Sequence, residues 1–328
     1  MKKVKIFLCA MICIMFFGSV PLFAGGSGSY PNGAEGFLVG AAPPPGFYLE
    51  SYTLNYGADT MEDNTGKHIG AFDKVSVWAE VFRFIWISKK QILGGNYGQH
   101  IFLPFLDIDL DFKVPVGPKK NGAGGKHYSD FHMPYIIYSP FVWTFHKMGG
   151  KLHYVFSLVD VYIPTGDQDD DNMATVSHNF WTFEPVFAVT YFPTKNWAMS
   201  FKFMYDWSTK QDDAPTVYGF NVDRTPGQEF HFDYNFSYAF SPNFRFGVGG
   251  YVYTQTTDDD YDIKSSLPAP VQQLLKEDEG HHTAKIAIGP GLWFHYKKLF
   301  MTLKVQPEVY VRNGTKGVNS WLKLIYCF

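Results

Sequence analysis

About twelve segments of two-residue alternation, rich in Tyr, Phe, Trp, Val and Thr, occupy the chain from residue 47 to residue 328. They run approximately over 47–57, 73–87, 99–114, 129–145, 151–163, 178–192, 196–208, 228–241, 244–257, 282–296, 299–312 and 317–328. Successive side chains of a strand point to opposite faces, so each segment reads as a β-strand with one apolar and one polar face. Past residue 24 no run of eighteen apolar residues occurs, which removes a membrane-crossing helix. If this chain crosses a bilayer, it crosses as a closed barrel, in which every backbone group pairs within the sheet.

Alternation alone suits a water-soluble sandwich equally well. The connections separate the two. They alternate between short ones (HKMGG at 146–150, PTK at 193–195, SPN at 241–243, Lys297–Lys298) and long ones (YGADTMEDNTGKHIG, GPKKNGAGGKH, 164–177, 209–227 and 258–281), with ISKKQILGGNY of intermediate length in a short one's place. Only the NGTK hairpin at 313–316 is short where a long loop is due. Long loops on one rim and short turns on the other, with an even strand number, are the plan of a transmembrane barrel. The expected fold is all-β: an antiparallel up-and-down barrel of about 12 strands with long extracellular loops and short periplasmic turns.

The strand faces can be sorted next. In FHFDYNFSYAF, Phe230, Phe232, Tyr234, Phe236, Tyr238 and Phe240 oppose Glu229, His231, Asp233 and Asn235, and six aromatics in file suit lipid and its interfaces. Met199, Phe201, Phe203 and Tyr205 likewise oppose Lys202 and Asp206, and Met301, Leu303, Val305, Val309 and Val311 oppose Lys304, Glu308 and Arg312. In LDIDLDFKV the same rule sends Leu106, Ile108, Leu110 and Phe112 to acyl chains. It sends Asp107, Asp109, Asp111 and Lys113 to the lumen, to meet cations such as Lys202, Arg245, Lys285, Lys304 and Arg312. Glu184, Tyr251, Tyr253, Gln255 and Trp293 complete the expected lumen and substrate path. Lumen aromatics could form a slide for a small apolar solute, although small barrels also fill their interiors with side chains.

The first residues, MKKVKIFLCAMICIMFFGSVPLFA, combine lysines at 2, 3 and 5 with an apolar run from Ile6 to Phe17 and small residues from Ala24. This is the pattern of a secretory signal peptide over 1–24. Its removal takes away Cys9 and Cys13 and leaves Cys327, so neither a disulfide nor a thiolate zinc site is available. Residues 25–46 are too rich in Gly and Pro for a regular element. They are expected to be either a loose periplasmic tail or a plug in the barrel mouth, tied through Glu35, Phe37 and Leu38. The barrel itself takes 47–328. The last strand, WLKLIYCF, ends on Phe328 and resembles the terminal strand by which the barrel-assembly machinery recognises its clients.

Other chemistries find little support. Lys and Arg number 28 against 31 Asp and Glu, a formal net charge of -3 without basic stripes, which argues against a nucleic-acid partner. Asp167, Asp169 and Asp171 have the oxygen spacing of a calcium loop, but Asn172 and His178 stand where that loop needs Gly and Glu. Solvation or bridging to lipopolysaccharide fits the acidic loops better. His127, Tyr128 and Ser129 form an H-x-S without a third member or a G-x-S-x-G elbow, so a hydrolase remains only a remote alternative and no enzyme is expected. Neither a cofactor nor a metal is expected. Asn313-Gly314 reads as a tight turn, and 270–279 as a short helix in the penultimate long loop.

Four stretches, YPNGAEGFLVGAAPPPGFYLESY at 30–52, YIPTGD at 162–167, YVYTQTTDDD at 251–260 and IGPGLWF at 288–294, give most of the chain after residue 24 a resemblance to outer-membrane proteins of the phenol meta-pathway type. That resemblance implies an outer-membrane barrel in a Gram-negative bacterium, surrounded by lipid and lipopolysaccharide. It further implies passive uptake of small hydrophobic solutes, aromatic compounds being the candidate class. A plugged barrel serving structure or surface contact is the alternative.

Overall fold

The computed structural model describes residues 27–117, 124–166 and 168–328. The expected signal peptide and Asp167 lie outside them. The chain first forms β1 (Gly46–Glu62), β2 (Phe72–Ile92), β3 (Gly95–Val116), β4 (Gly125–His132), β5 (Tyr135–Lys147) and β6 (Leu152–Pro164). Then follow β7 (Thr182–Tyr191), β8 (Trp197–Ser208), β9 (Gln211–Pro215), β10 (Asn221–Thr225), β11 (Glu229–Ser241) and β12 (Phe244–Gln255). The series closes with β13 (Asp260–Tyr261), α1 (Ala269–Asp278), β14 (Ala284–Tyr296), β15 (Leu299–Arg312) and β16 (Gly314–Cys327).

Each barrel strand pairs antiparallel with its neighbours, and β1 pairs with β16 from Tyr48↔Cys327 to Glu62↔Gly314. With β4 and β5 as two halves of one strand, broken at Met133-Pro134, the sheet is a closed barrel of 12 strands, as the alternation predicts. Closure removes the edge from the ring; beyond it, among the described strands, β4 pairs with β3 alone. Short turns lie at one end, the turn end, together with Tyr48 and Cys327; long connections lie at the other, the loop end. There β9, β10 and β13 make a small three-stranded sheet that the alternation misses, because its strands are too short to show a period. Val222 and Tyr261 of this sheet pack on Leu275 of α1, one residue offset from the helix expected at 270–279.

Two aromatic girdles mark the lipid-facing belt. Phe47, Trp86, Tyr97, Trp143 and Phe156 form a chain of ring contacts near the turn end, and Phe183 stacks on Trp207 near the loop end. On β8 both Trp197 and Trp207 face outward, 49% and 42% exposed. Ten residues apart, they are separated by about 33 Å along the strand, or roughly 25 Å across the membrane after a tilt of about 40°, which is the height of an outer-membrane apolar band.

This measure corrects the reading of LDIDLDFKV. The register Ala79↔Leu106, Val77↔Ile108 and Val75↔Leu110, with Ala79, Val77 and Val75 opposite Leu54, Tyr56 and Ala58, places Leu106, Ile108, Leu110 and Phe112 inside the barrel. Asp107, Asp109, Asp111 and Lys113 are outside, not in the lumen. The partners of Asp111 are outward neighbours: Lys74 Nζ lies 3.6 Å and His127 Nδ1 2.8 Å from its carboxylate. The reason is length. β3 has 22 residues, about twice what a tilted strand needs to cross. Its outward face is apolar at Ile101, Leu103 and Phe105, then turns polar at Asp107, ten residues beyond the girdle residue Tyr97, where the strand has left the lipid.

A second correction concerns β15. A bulge between Glu308 and Tyr310 puts Val309 and Tyr310 both outside and Val311 inside, 3% exposed. Arg312 therefore leaves the inner face and donates to the carbonyl of His282 at the strand end. With Leu103 rather than Leu110 in contact with lipid, Leu103→Arg is expected to cost roughly 2–4 kcal/mol of barrel stability near the midplane. Reversible folding into bilayers measures it, and an unchanged midpoint would place Leu103 elsewhere.

Candidate functional site

The inner surface is two-sided. On β1, β2 and β3 it is largely apolar. Met61, Ile69, Phe72, Phe112, Tyr128 and Ala174 cluster at the loop end with Ile108, Leu110 and Met173 packed on them. Through Val75 this cluster runs into a second one, Leu54, Tyr56, Ala79, Val81 and Trp321, which reaches Ala34. The facing wall, from β6 to β15, carries most of the charges, and Glu50, Arg83 and His100 add to them at the turn-end part of β1, β2 and β3.

Residues 27–41 lie across the lumen between these walls. Ser27 N and Gly28 N donate to Glu229, and Gly33 N and Glu35 N donate to Asp233 at 2.8 and 2.9 Å. Lys304 Nζ, 5% exposed, donates to the carbonyls of Gly33, Ala34 and Glu35. The Glu35 carboxylate receives Lys323 Nζ at 2.7 Å, Arg83 Nη1 at 3.2 Å and Tyr52 OH at 2.7 Å, while Arg83 also binds Glu50 at 3.0 Å. Three strands thus converge on one carboxylate, an arrangement of charge-assisted hydrogen bonds that are individually the strong ones.

Glycines let the segment lie flat on the walls. A Cβ on Gly33 would meet Tyr251 at 2.8 Å and also strike Gln306, and a Cβ on Gly40 would enter the backbone of Val189–Thr190. Phe37 packs over Gly291, where a Cβ would be 2.7 Å from its ring, and Leu38 turns the chain with φ 56.

The other expected lumen residues fall into groups. Glu184, Asp206 and His231 are fully buried and come together from β7, β8 and β11. Lys202 lies 4.3 Å from the Tyr30 ring centroid. Tyr251 and Lys285 both meet Glu308, at 2.6 and 3.1 Å, with Tyr56 on the other oxygen. Tyr253 is buried beside His231. Gln255 binds Thr257 O and Asp259, so it fastens a loop. Arg245 and Trp293 face inward at the turn end, opposite each other in register, with Arg245 reaching Asn196 O. Glu50, Tyr52, Arg83 and Lys323, missing from the expected set, are central to it. Their signal was present: Glu50 and Arg83 interrupt otherwise apolar runs on the face that alternation opposes to Leu49, Phe82 and Phe84.

At the loop end, Asp169 and Asp171 make turns within their own loop. Asp278 of α1, buried and bonded to Tyr218 OH at 2.6 Å, has its carboxyl lifted to about 6 by burial, partly opposed by Tyr218 and His281. A raised carboxyl pKa means the docked helix holds a proton that the undocked one releases. Docking is therefore strongest below about pH 4 and weakens as pH rises through 6. Hydrogen exchange over residues 269–278 is expected to quicken across that window in the wild type, and Asp278→Asn is expected to flatten the dependence.

Comparison with known proteins extends the geometry. A family model described as "Putative MetA-pathway of phenol degradation" matches residues 58–324. Among solved structures, an outer membrane channel from Pseudomonas putida F1 superposes with a TM-score of 0.70 at 13% identity, over 90% of this chain and 99% of that one. A mutant of the monoaromatic hydrocarbon channel TodX gives 0.43 at 11% identity, over 95% and 96%, and the translocator domain of the autotransporter NalP from Neisseria meningitidis gives 0.43 at 11%, over 87% and 90%. No curated protein matches the chain by sequence. At 13% identity the superposition on the Pseudomonas putida channel establishes the barrel fold and no more.

Proposed function

Because this chain belongs to the MetA-pathway of phenol degradation family, whose model spans 58–324 of it, we propose that it is an outer-membrane channel for passive uptake of small hydrophobic molecules, aromatic compounds among them. One observation carries the reading: the continuous apolar wall of β1–β3, from Phe72 and Phe112 at the loop end down to Ala34. The polar side chains of these strands, Glu50, Arg83 and His100, all lie on the turn-end side of Tyr52 and Val81, so the apolar wall runs unbroken from the loop end down to residues 33–35. A solute entering at the loop end meets Met173, Ile108 and Leu110, then Leu106 and Tyr56, and stops at residues 33–35.

Residues 27–41 are the gate of this path, and Lys304, Asp233, Glu35, Arg83 and Lys323 are its fastening. Beside Phe37, at Gly291 and Lys304, a groove of about 560 Å³ opens on the outer wall between Phe246, Leu292, Leu303 and Leu322. The β14–β15 ladder is interrupted there, at Pro290 and Pro307, residues without an N–H to donate. A hydrophobic solute released at Phe37 has an exit through this thinned wall into lipid. In this reading the loop end faces outward and the turn end the periplasm, the first 24 residues direct export, and Phe328, 72% exposed at the turn end, is presented to the assembly machinery.

The experiment is solute flux into proteoliposomes, comparing an apolar dye or a phenol with a sugar of similar size, alongside conductance in planar bilayers. Flux of the apolar solute alone supports the channel. A folded barrel silent to both, with and without residues 27–43, supports a structural or contact role instead.

A further inference from the structure

Inside the wall, at the level of residues 27–30, β7, β8 and β11 bring Glu184, Asp206 and His231 to one point. The three residues are 0%, 1% and 0% exposed, and one ligand atom from each lies within 4.8 Å of the others. His231 Nε2 is 3.3 Å from Asp206 Oδ2 and 3.8 Å from Glu184 Oε2. Both ring nitrogens of His231, both oxygens of Asp206 and Oε1 of Glu184 have no hydrogen-bond partner. Among the described residues no lysine or arginine nitrogen comes within 4.0 Å of either carboxylate. Two buried carboxylates side by side, with Lys202 acting on them only from beyond 4.0 Å and an unpartnered imidazole beside them, form an arrangement that folding disfavours unless a cation or a shared proton stands between them.

We propose that Glu184, Asp206 and His231 bind one divalent transition-metal ion, Zn²⁺ or an ion of similar ligand preference. Donor type and spacing both point there. One imidazole nitrogen with two carboxylate oxygens and no thiolate suits Zn²⁺, Co²⁺, Mn²⁺ or Fe²⁺; a hard ion such as Ca²⁺ takes oxygen ligands and has little use for imidazole. Around an ion with bonds of about 2.0–2.2 Å, tetrahedral ligands stand roughly 3.4 Å apart; His231 Nε2 is already 3.3 and 3.8 Å from the two carboxylates, and all three residues offer ligand atoms within 4.8 Å of one another. Two negative carboxylates, a neutral histidine and a divalent ion sum to zero charge. Tyr162 donates its hydroxyl to Glu184 Oε2 at 2.9 Å, the second-layer contact that orients a metal-bound carboxylate. The Tyr30 ring lies 5.0 Å from the His231 ring and closes the site on the lumen side.

The test uses the full barrel refolded in detergent, stripped with a chelator and titrated with Co²⁺. One ion per chain is expected, with visible d–d absorption of a four- or five-coordinate site that Zn²⁺ bleaches. His231→Gln is expected to abolish the absorption, and Tyr162→Phe, which keeps all three ligands, to weaken binding about 10- to 100-fold. The exposed pair His146 and His153, with Nδ1 atoms 2.6 Å apart, is another place among the described residues where Co²⁺ could settle. Replacing both by Ala is expected to leave the stoichiometry unchanged. Heat-modifiable electrophoretic mobility confirms folding of each variant. If the folded wild type takes up no ion, the carboxylates share a proton and the site is refuted. Full binding by folded His231→Gln refutes it equally, and if that variant does not fold, unaltered affinity in Tyr162→Phe does so.

Discussion

Removing residues 27–43 is expected to raise the flux of an apolar dye into proteoliposomes on the order of a hundredfold at equal amounts of folded barrel. The barrel does not need the segment to close, since the β1–β16 ladder starts at Tyr48↔Cys327. The segment, by contrast, is held by Glu229, Asp233 and Lys304 along its backbone and by Arg83, Lys323 and Tyr52 at Glu35. Hydrogen bonds to charged groups are worth about 1.5–3 kcal/mol each, so a seated state favoured by only about 3 kcal/mol net already leaves about 1% of barrels open. Deletion removes that restraint. Lys304→Met, which takes the donor from three carbonyls while the wall stays intact, is expected to move flux in the same direction by a smaller factor. Equal flux in all three proteins would show that residues 27–41 are not the gate.

Leu110→Asp is expected to lower the same flux about tenfold, because a charge on the apolar path adds at least about 1.4 kcal/mol to the passage of a solute that cannot solvate it. Asp109→Asn, the next residue on the strand, is expected to leave flux and ion selectivity as they were, because Asp109 stands outside the barrel, 51% exposed in its side chain. If instead Asp109→Asn changes ion selectivity and Leu110→Asp does nothing, the inner and outer faces of β3 are interchanged. The pair is informative because one residue of register moves a side chain across the wall.

Particular elements show what was legible. The file Phe230 to Phe240 and its opposite, Glu229 to Ser237, read correctly from sequence because β11 lies within the lipid belt over its length, where apolar means outward. The same rule failed on β3, whose far half has left the lipid, so that water is outside and apolar packing inside. On β15 the phase was right as far as Glu308 and wrong at Val311 and Arg312, since a bulge of one residue has no signature in hydrophobicity. Glu35 stood out as a lone carboxylate in a Gly/Pro-rich segment; its partners Arg83 and Lys323 lie 48 and 288 residues away.

Period-two alternation, loops sorted by length and the absence of a long apolar run are local properties, and backbone hydrogen bonding in lipid admits one answer to them, a closed antiparallel barrel. That much the sequence determined by itself. Which face of each strand is inside at each height, how residues 27–41 seat across the lumen, and the meeting of Glu184, Asp206 and His231 depend on register, tilt and bulges summed around the ring. Those are long-range quantities that alternation leaves open, and only the tertiary structure decided them.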